Sequence, residues 1–194
     1  MDRQPHILVI FGSTRQGRRG DRVVHWLMER LGARTDASFA LVDVRALGLP
    51  LFDAPVSPAR GQVMPEAEAW AAQVEHADGF IFVTPEYNHG YPASLKNAID
   101  YLHHEWRYKP VGFVSYGGVA SGTRSVEQLQ QVVTAVKLFP LFEQVNIPFY
   151  QQFITDGEVH ANEVMEQATG TMLDQLVRME ALLRPMREEV AQPG

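Results

Sequence analysis

The chain has 194 residues, 45% of them hydrophobic, and 17 basic against 23 acidic side chains leave a formal charge of −6. One soluble globular domain with a sizeable core accounts for that size and composition, and the acidic balance argues against general binding to nucleic acid or anionic membranes. Cysteine is absent, which removes disulfides, thiolate metal sites and Cys nucleophiles.

The first residues lack the basic region and long apolar stretch of a signal peptide, and no segment approaches the ~18 apolar residues of a membrane span. The expectation is a cytoplasmic protein. In chain order, the apolar run from His6 to Phe11 predicts a strand buried on both faces. A Gly/Ser/Thr/Arg loop follows. Val23, Val24, Leu27, Met28 and Leu31 then give residues 21–32 the spacing of an amphipathic helix. Phe39 to Val44 predicts a second strand, and the proline-rich residues 47–65 a long connection. Residues 66–76 read as a helix and 79–84 as a third strand. Between Pro92 and His104, Leu95, Ala98, Ile99 and Leu102 share one helix face. Val111 to Tyr116 predicts a fourth strand, residues 125–139 a helix, and Val145 to Tyr150 a fifth strand containing Pro148. The last helix is expected from about Asn162 to Arg184, with a frayed tail over residues 185–194. Strands alternating with helices imply a doubly wound parallel sheet in a single domain over residues 1–194.

Three loops at the carboxyl ends of strands have unusual composition, and that edge is where open α/β sheets bind ligands. The first is Gly12-Ser13-Thr14-Arg15-Gln16-Gly17-Arg18-Arg19-Gly20. Its hydroxyls, backbone N–H groups and helix N-terminus form an anion site. Arg15, Arg18, Arg19 and Arg22 oppose the usual charge preference at that helix end, a conflict that a bound anion would remove. No Gly-Lys-Ser/Thr ending marks it as a Walker loop.

The second loop is Pro85-Glu86-Tyr87-Asn88-His89-Gly90-Tyr91-Pro92. Its aromatic side chains and exposed backbone suit a flat polar ring. Glu86 is a candidate general base or a locally paired carboxylate. His89 is a candidate wall of the pocket, since no second metal ligand has suitable spacing. Lys96 in the following helix is either solvated or paired with Asp100 at i+4. The third loop, Ser115 to Arg124, contains Gly117, Gly118 and Gly122. Arg124 near the next helix start is either a surface charge or a contact to a second anion.

With these residues in view, the chain resembles the NADPH-dependent FMN reductase family. The resemblance rests on Gly12-Ser13-x-Arg15, on Pro85-Glu86-Tyr87-Asn88 with Leu95-Lys96-Asn97-Ala98-Ile99-Asp100, and on Gly117-Gly118, and it covers roughly residues 6 to 150. It implies a flavodoxin-like α/β fold with a five-stranded parallel sheet in the order 2-1-3-4-5. It implies FMN as cofactor, NADPH or NADH as co-substrate, and quinones, azo compounds or flavins as acceptors. The phosphate is expected at Ser13, Thr14, Arg15, Gln16, Gly17, Arg18, Arg19 and Gly20. The ring is expected at Pro85, Glu86, Tyr87, Asn88, His89, Gly117 and Gly118. Arg18, Arg19 and Arg124 are candidate contacts to a second cofactor's 2′-phosphate. No metal is implied, and no side chain is assigned a catalytic role. A homodimer or homotetramer is expected, with the helix after strand three and Trp106-Arg107-Tyr108 at its interface. The alternatives are a flavodoxin-like electron carrier and a non-enzymatic flavin-binding protein.

Overall fold

In the computed structural model, which describes residues 3–191, five parallel strands form one sheet in the order β2-β1-β3-β4-β5. They are β1 (His6–Phe11), β2 (Ser38–Asp43), β3 (Gly79–Pro85), β4 (Pro110–Tyr116) and β5 (Phe139–Ile147). The helices are α1 (Gly20–Gly32), the short α2 (Val44–Leu47), α3 (Glu68–His76), α4 (Ala93–Asp100), α5 (Thr123–Ala135) and α6 (Glu163–Ala191). A small antiparallel pair, β6 (Ile154–Thr155) and β7 (Glu158–Val159), lies between β5 and α6.

Strands β3 and β4 are buried along their whole length because helices cover both faces. Side chains alternate between two cores, as the period of two demands. Leu8, Ile10, Phe80, Phe82 and Phe113 pack with α3, α4 and α5. Ile7, Val9, Phe11, Ile81, Val83 and Val114 pack with α1 and α6. Trp106 is fully buried, with its ring edge-on to Phe80 (4.9 Å between centroids) and Trp70 (5.7 Å). The indole N–H groups of Trp70 and Trp106 donate to the carbonyls of Ala98 and Ile99, which satisfies two acceptors at the end of α4. Leu95, Ala98 and Ile99 are buried with them. The apolar and aromatic surface that the sequence assigns to a second subunit is thus largely spent inside this chain.

Two elements differ from expectation. Strand β5 begins at Phe139, where the sequence predicts helix, and stops at Ile147. Lys137 closes α5 with φ +61°, a left-handed residue with no glycine to announce it, and the Leu138 N–H donates to Val133 O at 3.0 Å. β5 is an edge strand, so Pro140 is tolerated and the apolar pattern is broken. Helix α6 continues through Pro185 to Ala191, past the predicted end at Arg184. Its last turns are tied down: Arg184 pairs with Glu180 at 2.6 Å and Arg187 reaches Asp78 at the foot of β3 at 3.4 Å. Residues 192–194 of the expected tail lie outside the described residues. No described helix is long and apolar enough to cross a membrane.

Candidate active site

All parallel strands end on one edge, and their loops meet there around a cleft of about 400 Å³. The cleft brings together Ser13, Arg15, Arg18, Arg19 and Gly20 from the first loop, Pro85, Glu86 and Tyr87 from the second, and Gly117 and Gly118 from the third.

The first loop leaves β1 against the α4 helix. The Gly12 N–H donates to Val83 O, and the Ser94 hydroxyl donates to Gly12 O, both at 3.0 Å. A Cβ on Gly12 would sit 2.9 Å from Leu95 Cδ2, so only glycine lets strand and helix approach this closely. Ser13 is buried, and its Oγ lies 2.8 Å from the Tyr87 hydroxyl, joining the first loop to the second. Arg19 occupies the N-cap of α1 and makes no side-chain capping bond, and it lines the cleft together with Gly20, the first residue of that helix.

The arginines divide into two kinds. Arg18 is committed: it forms a two-point ion pair with Asp43, bonds to Ser13 O, and stacks 4.4 Å from the centre of the Phe11 ring. Its hydrogen bond to Asp43 holds the Arg18 pKa above the ordinary value. Burial works to raise the Asp43 carboxyl, but Arg18 and the Arg45 N–H outweigh it and hold the acid below its ordinary range. The guanidinium groups of Arg15 and Arg19 have no partner among the described residues and line the cleft. Thr14 turns to a neighbouring cleft, and neither Gln16 nor Gly17 lines the first one; Gly17 supplies a φ of +65° to the turn instead.

The second loop is a two-residue hairpin. Tyr87 N–H donates to Gly90 O at 2.8 Å and Gly90 N–H to Tyr87 O at 3.0 Å, with Asn88 at φ +51° and His89 at φ +69°. Two positive φ values identify the turn as type I′. Helix α5 pins it from the side. Arg124 pairs with Glu86 and lies 2.8 Å from His89 Nε2, and Gln128 Nε2 donates to His89 O at 3.0 Å. Asn88, His89 and Arg124 therefore brace the wall without lining the cleft. The Glu86 side chain is 8% exposed, and its Oε2 has no hydrogen-bond partner. Lys96 forms its predicted pair with Asp100 at 2.5 Å.

Five wall residues escape the sequence-based site: Tyr116, Phe149, Tyr150, Gln151 and Gln152. Expecting β5 to run to Tyr150 hides the last four, which in fact form the loop beyond its end. Tyr116 is buried, and a Cβ on Gly20 would meet its hydroxyl at 1.8 Å. Burial, helped by the nearby Tyr87 and Tyr150 phenols, raises the Tyr116 pKa strongly, so the group stays a protonated donor beside Ser13.

A sheet in the order 2-1-3-4-5, with an uncapped helix N-terminus and two free guanidiniums beside a braced hairpin, defines a flavodoxin-like protein whose strand termini form a cleft suited to an anion. The sequence of the NADPH-dependent FMN reductase family matches residues 5–152, and the chain belongs to that family. An NAD(P)H-dependent FMN reductase of Schizosaccharomyces pombe is 41% identical over 137 residues, covering 69% of this chain and 68% of the relative. A quinone reductase of Escherichia coli is 32% identical over 180 residues, covering 90% and 88%. Among solved structures, the flavoenzyme NAD(P)H:(acceptor) oxidoreductase FerB of Paracoccus denitrificans superposes with a TM-score of 0.72 at 20% identity, covering 91% of this chain and 97% of that one. The chain is accordingly an FMN- and NAD(P)H-dependent oxidoreductase, and the electron-carrier alternative falls away.

The residues present fit FMN on their own chemistry. Two unpartnered cations and an uncapped helix end suit a phosphate, and the orphaned Glu86 Oε2 in the same cleft suits an N–H donor of a polar ring.

Proposed function

We propose that this reductase delivers electrons to small acceptors of the quinone type, with FMN held in the cleft by Arg15, Arg19 and the α1 N-terminus at one end and by the Pro85–Tyr87 wall at the other. When bound, FMN supplies the two-electron relay between nicotinamide and acceptor. The protein's part is binding and electrostatics. Arg15 and Arg19 neutralise phosphate charge where the helix dipole already favours an anion. Tyr87 and Ser13 fix the spacing between the two loops through their shared hydrogen bond. Arg124 balances the Glu86 carboxylate, so the wall presents no uncompensated negative charge to a ring that gains electrons.

The observation that carries this reading is the placement of two free guanidiniums and one orphaned carboxylate oxygen in one cleft. Arg18 and Arg124 are engaged within the chain by Asp43 and Glu86, so neither is left to meet a second phosphate-bearing cofactor. The chain is also proposed to self-associate. A second cleft of about 820 Å³ adjoins the first, and Leu51 on its rim is 82% exposed. Light scattering at micromolar concentration tests this; a monomer contradicts it. For the reaction, purified protein is mixed anaerobically with FMN and NADPH, and then with a panel of quinone, azo, flavin and metal-oxyanion acceptors. The flavin absorbance is expected to bleach within minutes and to return fastest with quinones. No bleaching, or no preference for quinones, sinks the proposal.

A further inference from the structure

Beyond β5 the chain turns sharply at Pro148-Phe149 into a short 3-10 turn, Tyr150–Phe153. Phe149 sits in the left-handed region at φ +44° and ψ +43°. That conformation is rare for a bulky residue and strains the backbone. The backbone enforces it: Phe149 N–H donates to Gly118 O at 3.2 Å, and Gln152 N–H donates to Phe149 O at 2.8 Å. Folding gains little from the ring in return. It is 48% exposed at the cleft rim, while Ile147 before it is buried and Tyr150 after it packs 4.9 Å from the Tyr116 ring.

A glycine or asparagine would satisfy this backbone, and a polar side chain would satisfy this exposure. Phe149 violates both rules at one position, on the rim of the redox cleft. Violations of local consistency concentrated at a site point to a use for the side chain. Gln151 and Gln152 follow on the same turn. Both are exposed, both line the cleft, and their amide groups have no partner among the described residues. An exposed aromatic face beside free N–H donors suits a flat apolar ring that carries carbonyl oxygens.

We infer that Phe149, with Gln151 and Gln152, forms the acceptor subsite, a stacking platform that selects planar carbonyl-bearing rings such as quinones. This rests on the reductase reading and extends it to residues that reading does not use. The subsite acts on selection among acceptors. It leaves cofactor binding to the first two loops.

The test compares 1,4-naphthoquinone, a planar dicarbonyl, with ferricyanide, a compact inorganic acceptor that cannot stack. Phe149→Ala is expected to raise KM for naphthoquinone about five- to tenfold with kcat little changed. Phe149→Tyr keeps the platform and stays near wild type, and Phe149→Gly loses selection as Ala does. Ferricyanide reduction is compared at saturating FMN in all three and is expected to fall by less than naphthoquinone reduction does. Without NADPH, quenching of the bound flavin's fluorescence by naphthoquinone reports binding alone, and it weakens in the same order. Phe149→Gly is also expected to melt no lower than wild type, because glycine relieves the backbone strain. An unchanged naphthoquinone KM in Phe149→Ala, or an equal loss with ferricyanide, overturns the assignment. If wild type reduces neither acceptor, the reductase reading fails, and the quench titration still decides the role of Phe149.

Discussion

Arg124, in the first turn of α5, pairs with Glu86 in the cleft wall, and the same guanidinium lies 2.8 Å from His89 Nε2. One side chain thus holds both the buried carboxylate and the strained hairpin beyond it. The sequence offers Arg124 as a surface charge or a contact to a second anion; the structure gives it partners within the chain. Removing it leaves Glu86 buried with neither oxygen paired. Arg124 itself is 40% exposed, so screening reduces the direct attraction, and the cost comes mainly from the stranded carboxylate. Arg124→Ala is expected to lower stability by about 1–3 kcal/mol. The double variant Arg124→Ala with Glu86→Gln should recover part of that loss, because a neutral amide is cheaper to strand. Urea unfolding of the cofactor-free protein measures both. Additive losses would show that the pair is not coupled.

Gly20 is a second point where the cleft allows no alternative. Its absent Cβ leaves the space that the Tyr116 hydroxyl fills. Gly20→Ala is expected to push the Tyr116 ring out of place and weaken FMN binding more than tenfold, since a misplaced side chain at the α1 N-terminus also obstructs the anion site. Adding Tyr116→Phe should not rescue it, because the Cβ would still lie 2.3 Å from Tyr116 Cζ. Fluorescence titration of FMN into the apoprotein decides; wild-type affinity in Gly20→Ala would contradict the packing.

The arginines of the first loop separate binding from folding. Arg15→Ala and Arg19→Ala are expected to weaken FMN binding several-fold at low salt, with the difference shrinking toward 0.5 M salt as exposed charges are screened. Arg18→Ala instead removes the partner of Asp43. The depressed folded pKa of Asp43 means that this pair contributes stability above the acid's unfolded pKa of about 3.9 and loses it as pH falls through the folded value. The stability gap between wild type and Asp43→Asn should therefore be full at pH 6 and shrink as pH falls below the unfolded pKa of about 3.9 and through the lower folded value. Denaturation midpoints across that range test it, and a gap independent of pH would rule the ion pair out as its source.

How far the sequence reaches depends on whether a feature is written in local pattern. Ile81 and Val83 lie in an uninterrupted apolar run because β3 is buried on both faces, so the central strands and the order of the fold are legible. The three loops are legible for the same reason: each follows such a run. Arg15 and Arg18 look alike in sequence. What separates them is Asp43, contributed by a neighbouring strand through pairing that no local pattern encodes. The wall from Phe149 to Gln152 is hidden for a different cause. β5 is an edge strand with an irregular register near Val111, and Lys137 and Phe149 take left-handed turns without glycine, so neither of its ends is marked.

Far from the cleft, Lys109 immediately before β4 is 5% exposed, and its ammonium donates to Val74 O, Glu75 O and Glu105 O at 2.8, 3.0 and 2.7 Å. It thereby ties the end of α3 to the segment entering β4. Burial nonetheless lowers its pKa to about 8, despite three carbonyl acceptors. An unfolded lysine titrates near 10.4, so between about pH 8 and 10.4 the unfolded chain holds a proton that the native protein has released. Stability must then rise with pH through that window and be flat with respect to this group below it. Replacing Lys109 by Met removes the titration. It also takes the ammonium donor from the Glu75 and Glu105 carbonyls, while Val74 O keeps the Ala77 N–H, and this should cost about 1–3 kcal/mol at pH 7. The difference between wild type and Lys109→Met is expected to widen steadily from pH 8 to 10.5, with all other titrations common to both. Parallel stability profiles over that range would show that the amine keeps its proton in the fold.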